Sequence, residues 1–278
     1  MNALLLIREG TEVLTKANVL SPKLDAEYLL AEALHMPRLN LLLSLRDEVS
    51  ADAEGRFRDM LERRKNHEPL QYILGTEDFF GLPFRVTPHV LIPRADTEAL
   101  CERALEVLPQ NGRVLDMCTG SGALAVAIAH TRRDAAVYAS DMSGDALCVA
   151  RSNADLNGVR VTFTQGDLFA PLENETFDLI VSNPPYITTD EMAILPQEVL
   201  QEPRMALHGG DDGLIFYRRI TAEAPRHLNE GGWLCFEIGD TQSAAVAALM
   251  AKDFEEIGQF TDLSGRDRVV RGRLKNHD

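Results

Sequence analysis

Val114-Leu115-Asp116-Met117-Cys118-Thr119-Gly120-Ser121-Gly122-Ala123 reads as a buried strand running into a glycine turn and then into a helix. Glycine reaches positive φ without strain and lets a ligand approach the backbone closely. Gly120-x-Gly122-x-x-Ala125 satisfies the relaxed form of the dinucleotide fingerprint. An ordinary structural turn would use the same residues, so the pattern gains weight only from residues further along the chain.

Downstream the chain alternates strand and helix. Ala123 to His130 is helical, and Ala136-Val137-Tyr138-Ala139 a strand. Gly144 to Leu156 is helical, and Val161-Thr162-Phe163 and Asp178 to Val181 are strands. Helix is expected from Ile215 to Ala224, strand from Gly232 to Ile238, helix from Gln242 to Met250 and a last strand around Arg268 to Arg271. Such alternation predicts a mostly parallel α/β sheet with helices on both faces. The final strands lack an obvious crossover, so one of them is expected to run antiparallel.

Upstream the pattern changes. Thr97 to Leu108 reads as a helix, and residues 74–93 as a β-hairpin with turn residues Gly75, Gly81, Pro83 and Pro88. Residues 1–73 read as a small helical bundle. Ser21-Pro22 and Ser50 are expected helix starts, and Phe57, Met60 and Leu61 share one face. The basic run Arg56, Arg58, Arg63, Arg64, Lys65 is expected to be a solvated face. The division is therefore 1–73 helical, 74–93 hairpin and 94–278 α/β.

The 278 residues carry 28 basic and 43 acidic side chains, for a net charge of −15. Residues 1–75 hold 10 basic and 12 acidic residues, whereas 76–278 hold 18 and 31. An acidic α/β part repels a polyphosphate backbone, so nucleic acid is a disfavoured partner and a basic protein a better one. The apolar start at Met1 breaks off at Arg8-Glu9, unlike a signal peptide, and no run is long enough to span a membrane. Cys101, Cys118, Cys148 and Cys235 are scattered, which predicts reduced thiols in a cytoplasmic protein and no metal site. No large apolar helix is left over, so a monomer is expected.

Asp141 ends the strand after the glycine turn, 19 residues past Gly122. A carboxylate there can accept from two ribose hydroxyls, although it could equally cap the next helix. Asp167 and Leu168 follow the next strand and could read an adenine amino group and pack against its ring. These positions suit any adenosine cofactor, NAD or S-adenosylmethionine (SAM) alike. A dehydrogenase would need a proton relay, and none is in the expected setting. A hydrolase elbow would need Gly-x-Ser-x-Gly, and the turn does not match it.

Ser182-Asn183-Pro184-Pro185-Tyr186 discriminates further. Two prolines end the strand before them and stiffen the loop at its carboxyl end. The Asn183 side-chain carbonyl and the Pro184 backbone carbonyl can grip the two N–H hydrogens of a planar nitrogen, and Tyr186 can offer a face to a flat group. Hydrogen bonds of this kind favour the nitrogen as it becomes pyramidal and positive during methyl transfer. Pro185 completes the substrate wall, and Asn183 also borders the cofactor.

Asn183-Pro184-Pro185-Tyr186 together with Asp116 to Gly122 resembles the class I SAM-dependent methyltransferases that modify planar nitrogens. Gln71-Tyr72-Ile73-Leu74-Gly75, Phe80-Gly81-Leu82-x-Phe84-x-Val86, Leu91-Ile92-Pro93-Arg94-x-Asp96-Thr97-Glu98, Glu202-Pro203-x-x-Ala206-Leu207 and Gly209-Gly210-x-Asp212-Gly213-Leu214 narrow it. They are similar to the HemK/PrmC family, the N(5)-glutamine methyltransferases of peptide chain release factors, over nearly the whole chain. The resemblance implies a Rossmann-like, mostly parallel seven-stranded sheet. It implies that Asp116, Cys118, Thr119, Gly120, Ser121, Gly122, Asp141, Asp167 and Leu168 bind SAM. It implies that Asn183 and Pro184 hold the glutamine of a Gly-Gly-Gln loop, and that the N-terminal helices dock a bacterial class I release factor. Three positions depart from the family pattern: Cys118 stands where glycine is usual, Ala95 where proline is usual, and Leu168 where some members have an aromatic residue. Met-Cys-Thr-Gly-Ser-Gly also occurs in a related family acting on a ribosomal protein. A ribosomal-protein glutamine or a nucleic-acid amino group is thus the alternative acceptor.

Overall fold

The computed structural model describes residues 1–262 and 264–276. The chain separates into two compact units, Met1–Gly75 with Pro196–Gln201, and Thr76–Leu195 with Glu202–Asp278. No described helix is long and apolar enough to cross a membrane.

The first unit holds helices α1 (Ala3–Lys16), α2 (Pro22–Ala33), α3 (Arg38–Leu43), α4 (Ala51–Lys65) and α5 (Leu70–Leu74). They enclose a core that includes Leu6, Leu14, Leu29, Leu30, Leu41 and Phe57. The Asn2 side chain caps α1 by accepting from the Leu5 amide, and the Ser50 hydroxyl caps α4 by accepting from the Ala53 amide. Pro22 opens α2 as expected, but the Ser21 side chain makes no capping bond, its backbone standing at φ −122° and ψ 57°. A cap residue needs extended backbone to turn its oxygen onto the first turn.

The basic run on α4 is not simply solvated. Arg56 bonds the Ala33 carbonyl, Arg58 pairs with Glu9 and Glu54, Arg63 with Glu68, and Lys65 with Glu62. Arg64 is only 3 % exposed and holds Asp25 at 2.7 Å, Glu198 at 2.6 Å and the Glu68 carbonyl at 3.0 Å. A guanidinium can be buried when its fork of donors is filled in this way. Through Arg64 the segment Pro196–Gln201 is fastened to the helical bundle.

The second unit opens with β1 (Thr76–Phe79) and β2 (Leu82–Arg85), a hairpin whose central residues Phe80 and Gly81 stand at φ 52° and 72°. Two consecutive positive φ values match the twist of a two-residue hairpin. There follow α6 (Ala95–Val107), β3 (Arg113–Met117), α7 (Ala123–Thr131), β4 (Ala136–Asp141), α8 (Gly144–Leu156), β5 (Thr162–Gln165) and β6 (Phe177–Ser182). The rest comprises α9 (Thr189–Met192), α10 (Arg204–Leu207), α11 (Ile215–His227), β7 (Leu228–Glu237), α12 (Ser243–Met250), β8 (Phe254–Thr261) and β9 (Asp267–Leu274). The hairpin lies on α8 within this unit. Asn153 accepts from the Arg85 amide at 2.7 Å and donates to the Arg85 carbonyl at 3.0 Å.

The seven-stranded sheet has the order β5-β4-β3-β6-β7-β9-β8. β3, β4, β5, β6 and β7 are parallel, and β9 joins β7 and β8 antiparallel, as expected for the chain's end. Successive residues feed opposite layers. Val114, Leu179 and Val181 pack into one core with Leu100, Ala104 and Ile128, while Leu115 and Ile180 pack into the other with Tyr217, Ile220 and Phe236. Burial on both faces is why these strands read as unbroken apolar runs. β8 was not expected from the sequence. Its pairing with β9 shifts register between Glu255 and Gly258, and Glu256 stands at φ 51°, so the bulge hides the period-two alternation.

Candidate active site

The carboxyl ends of β3, β4, β5 and β6 open onto one cleft. An open α/β sheet places its ligands there because the loops diverge where strand order reverses, here between β3 and β6. Cys118 and Gly120, Asp141 and Met142, Asp167 and Leu168, and Asn183 and Pro185 line it. Val90 and Leu91 close one side, and Pro203, Met205, Ala206 and Phe216 another. The Glu202 carboxylate joins these sides, accepting from the Ile92 amide at 3.0 Å and pairing with Arg94.

The glycine loop is braced from beneath. Asp116 is buried, and its Oδ2 accepts from the Thr119 hydroxyl at 2.5 Å and the Ala125 amide at 3.1 Å. Burial pushes its carboxyl up to about 7, against the pull of those two hydrogen bonds. Oδ1 has no partner. Asp116, Thr119, Ser121 and Gly122 thus shape the loop without lining the cleft. The two glycines do different work. At Gly122 (φ 81°) a Cβ would stand 3.0 Å from that of Ala150, so its bareness lets α7 pack on α8. At Gly120 (φ 54°) the same position is open, and its amide donates to Asp141 Oδ2 at 2.8 Å. Cys118 also stands at a positive φ, 62°, where a side chain is strained.

Asp141 receives the Gly120 amide on Oδ2 and the Ser143 amide on Oδ1, the latter at 2.9 Å. The Met142 amide also bonds this carboxylate, and of the roughly four lone-pair sites that a carboxylate offers it keeps room for a ligand. Burial raises its pKa, opposed by these amides. Asp167 turns Oδ2 to Arg219 at 2.7 Å, leaving Oδ1 for the role expected of it. Leu168, at φ 50° and buried, presents an apolar wall. The described lining contains the carboxylates Asp141 and Asp167 and no lysine or arginine. A pyrophosphate would be repelled there, whereas a cationic ligand would meet opposite charge, hydrogen-bond acceptors and apolar walls.

Asn183 faces the cleft at the end of β6, and its Nδ2 donates to the Thr97 hydroxyl at 3.3 Å. Pro184 is buried and, unlike Asn183 and Pro185, lies outside the described lining of the cleft. Tyr186 lies outside the described lining of this cleft. Its hydroxyl donates to Glu237 Oε1 at 3.4 Å, and burial drives its own pKa upward. The loop is clamped by the glycine-rich segment before α11. A Cβ on Gly209 would stand 2.6 Å from the Pro185 carbonyl, and Gln242 donates to the Tyr186 carbonyl at 3.0 Å. His208 bonds the Thr189 hydroxyl at 3.0 Å and does not line the cleft. Sequence alone assigned no role to Met142, Phe216, Thr97 or Glu237. Glu237 carried a signal, a carboxylate ending the apolar run Leu234-Cys235-Phe236.

The sequence pattern of the PrmC N-terminal domain matches residues 6–75, and that of the methyltransferase small domain matches residues 96–216. The chain is 44 % identical over 263 residues to a release factor glutamine methyltransferase of Geobacter sulfurreducens, covering 94 % of this chain and 93 % of that protein. It is 44 % identical over 268 residues to a release factor glutamine methyltransferase of Moorella thermoacetica, covering 94 % of each. Among solved structures, a methyltransferase from Pyrococcus furiosus superposes with a TM-score of 0.55 at 20 % identity, over 70 % of this chain and 89 % of that one. That last likeness speaks for the fold alone.

Proposed function

The chain belongs to the release factor glutamine methyltransferases, and on that premise we propose that it transfers a methyl group from SAM to the side-chain amide nitrogen (N5) of the glutamine in the Gly-Gly-Gln loop of class I peptide chain release factors. The observation that carries this reading is Asn183, facing an anionic cleft from a proline-stiffened loop.

SAM supplies a methyl group already activated on a sulfonium. The protein's own residues bind, aim and shield. Asp141 accepts the ribose hydroxyls on the lone pairs its backbone amide partners leave free. Met142 and Leu168 flank a flat ring, and Oδ1 of Asp167 is left for its amino group. Asn183 Oδ1 and the Pro184 carbonyl accept the two N–H hydrogens of the glutamine amide and so set the nitrogen in line. Those bonds strengthen as the nitrogen becomes positive, so they favour the transition state over the ground state. The surplus proton leaves to water, and no residue is assigned as its base. The N-terminal helices, residues 1–73, dock the release factor, and 94–278 carries the transfer, with 74–93 between them. Residues 76–278, with 18 basic and 31 acidic side chains, suit a basic partner. The enzyme works as a monomer in the cytoplasm, where release factors act.

Two substitutions separate binding from transfer. Asn183→Ala is expected to keep the SAM Kd within about threefold while transfer falls by roughly a hundredfold or more. Asp141→Ala is expected to weaken SAM binding by at least about tenfold through lost charge-assisted hydrogen bonds. Equal loss of SAM affinity in both would mean that Asn183 holds the cofactor and not the acceptor.

A further inference from the structure

An amide side chain is ambiguous: a half-turn exchanges its carbonyl oxygen and its NH₂, and only its partners decide which end faces a ligand. For Asn183 to accept from a substrate N–H, its oxygen must point into the cleft. Its visible partner is Thr97, whose hydroxyl accepts from Nδ2 at 3.3 Å. A hydroxyl can also donate, so something must hold the Thr97 proton away from Asn183.

Glu237 is placed to do so. It ends β7, beside β6, with Ser182 paired to Phe236 across the two strands. It is 1 % exposed, Thr97 5 %. Oε1 accepts from the Tyr186 hydroxyl, while Oε2 is buried without a partner. The Thr97 hydroxyl faces this carboxylate closely enough to pull its pKa down. Tyr217 pins the Glu237 backbone carbonyl at 2.8 Å. A carboxylate only accepts, so with the Thr97 proton turned toward Glu237 the Thr97 oxygen can only receive the Asn183 NH₂. Neither Thr97 nor Glu237 lines the cleft.

We propose that Thr97 and Glu237 are positioning residues: Glu237 takes the Thr97 proton, Thr97 takes the Asn183 NH₂, and the Asn183 oxygen is thereby fixed toward the acceptor nitrogen. The same carboxylate holds the Tyr186 hydroxyl, so one buried group orients both polar side chains of the Asn-Pro-Pro-Tyr loop. This rests on the methyl-transfer reading and adds to it two residues outside the cleft. The charged and titratable groups around Glu237 are Tyr186 after β6, Asp96 at the start of α6, Arg268 on β9 and Tyr217 on α11. Arg268 is itself shared with Asp96 at 3.1 Å and Asp262 at 3.4 Å.

The test uses the full chain with SAM and a class I release factor. Thr97→Val, which keeps shape and loses the hydroxyl, is expected to lower kcat by about 10- to 100-fold with the SAM Kd unchanged. Thr97→Ser, which keeps the hydroxyl, is expected to stay within about threefold of wild type. Glu237→Gln is expected to lower kcat and to abolish its rise with pH through about 7, the value to which burial brings Glu237. The side-chain amide resonance that disappears in Asn183→Ala is expected to shift in Thr97→Val and not in Thr97→Ser. Wild-type kcat in Thr97→Val, equal losses in the Ser and Val variants, or an unmoved amide resonance in Thr97→Val would overturn the proposal. The resonance needs no acceptor, so it decides this point even if the wild-type chain leaves the release factor unmethylated, an outcome that would overturn the functional reading instead.

Discussion

The α-carbon of Gly213 faces the backbone carbonyl of Tyr186 so closely that no side chain could stand between them. Gly213 stands at φ 71°, and Gly209 makes a similar approach to Pro185. The Asn-Pro-Pro-Tyr loop is thus gripped from behind by bare backbone. Gly213→Ala must displace the Tyr186 carbonyl and the Gln242 amide that holds it. It is expected to lower kcat by about a hundredfold, the usual consequence of an ångström-scale misplacement. SAM affinity, read by calorimetry, should stay near wild type, because the glycine loop and Asp141 are untouched.

Cys118 occupies the left-handed region with a side chain. A β-branched residue tolerates that region least. Cys118→Val is therefore expected to cost about 2 kcal/mol in stability and to weaken SAM binding. Cys118→Gly should stay within about 1 kcal/mol of wild type, since relief of strain offsets the added chain entropy. Denaturant titration of both variants checks the ordering.

Arg64 holds two carboxylates inside the first unit. Removing it strands Asp25, whose pKa burial already raises. Arg64→Leu is expected to destabilise this unit by about 3 kcal/mol, the cost of an unpaired buried charge. Thermal unfolding of the full chain reads the loss as a lower first transition.

Asp116 and Glu237 have folded-state pKa values pushed up to about 7 by burial. A raised carboxyl pKa gives stability that is fully present below the unfolded value near 4 and lost as pH rises through the folded value. Unfolding free energy is thus expected to fall between about pH 4 and pH 7, by roughly 3 to 4 kcal/mol for each group, and to level off above that. Asp116→Asn should flatten part of that slope. Activity should instead rise as pH passes through about 7, because an ionised Glu237 is the form that only accepts.

The sequence made the glycine loop, Asp141 and the Asn-Pro-Pro-Tyr loop legible because each is local: a strand end followed by residues with special backbone or polar chemistry. The parallel strands were equally plain, being apolar on both faces. What stayed hidden depends on distant partners. Arg64 reads in sequence as one more solvated charge, because its partner Asp25 lies 39 positions away. Thr97 and Glu237 lie 86 positions before and 51 positions after their loop partners Asn183 and Tyr186. β8 was missed for a local reason, because its bulge breaks the alternation by which a strand is recognised.

The central claim is tested most directly by locating the methyl group. The chain is incubated with labelled SAM and, in separate reactions, with an unmethylated class I release factor, ribosomal subunits and unmethylated DNA, and the labelled product is mapped by mass spectrometry. The account predicts one methyl group on the Gly-Gly-Gln glutamine of the release factor, absent with Asn183→Ala. Label on ribosomal protein or nucleic acid, with the release factor unmodified, would contradict it.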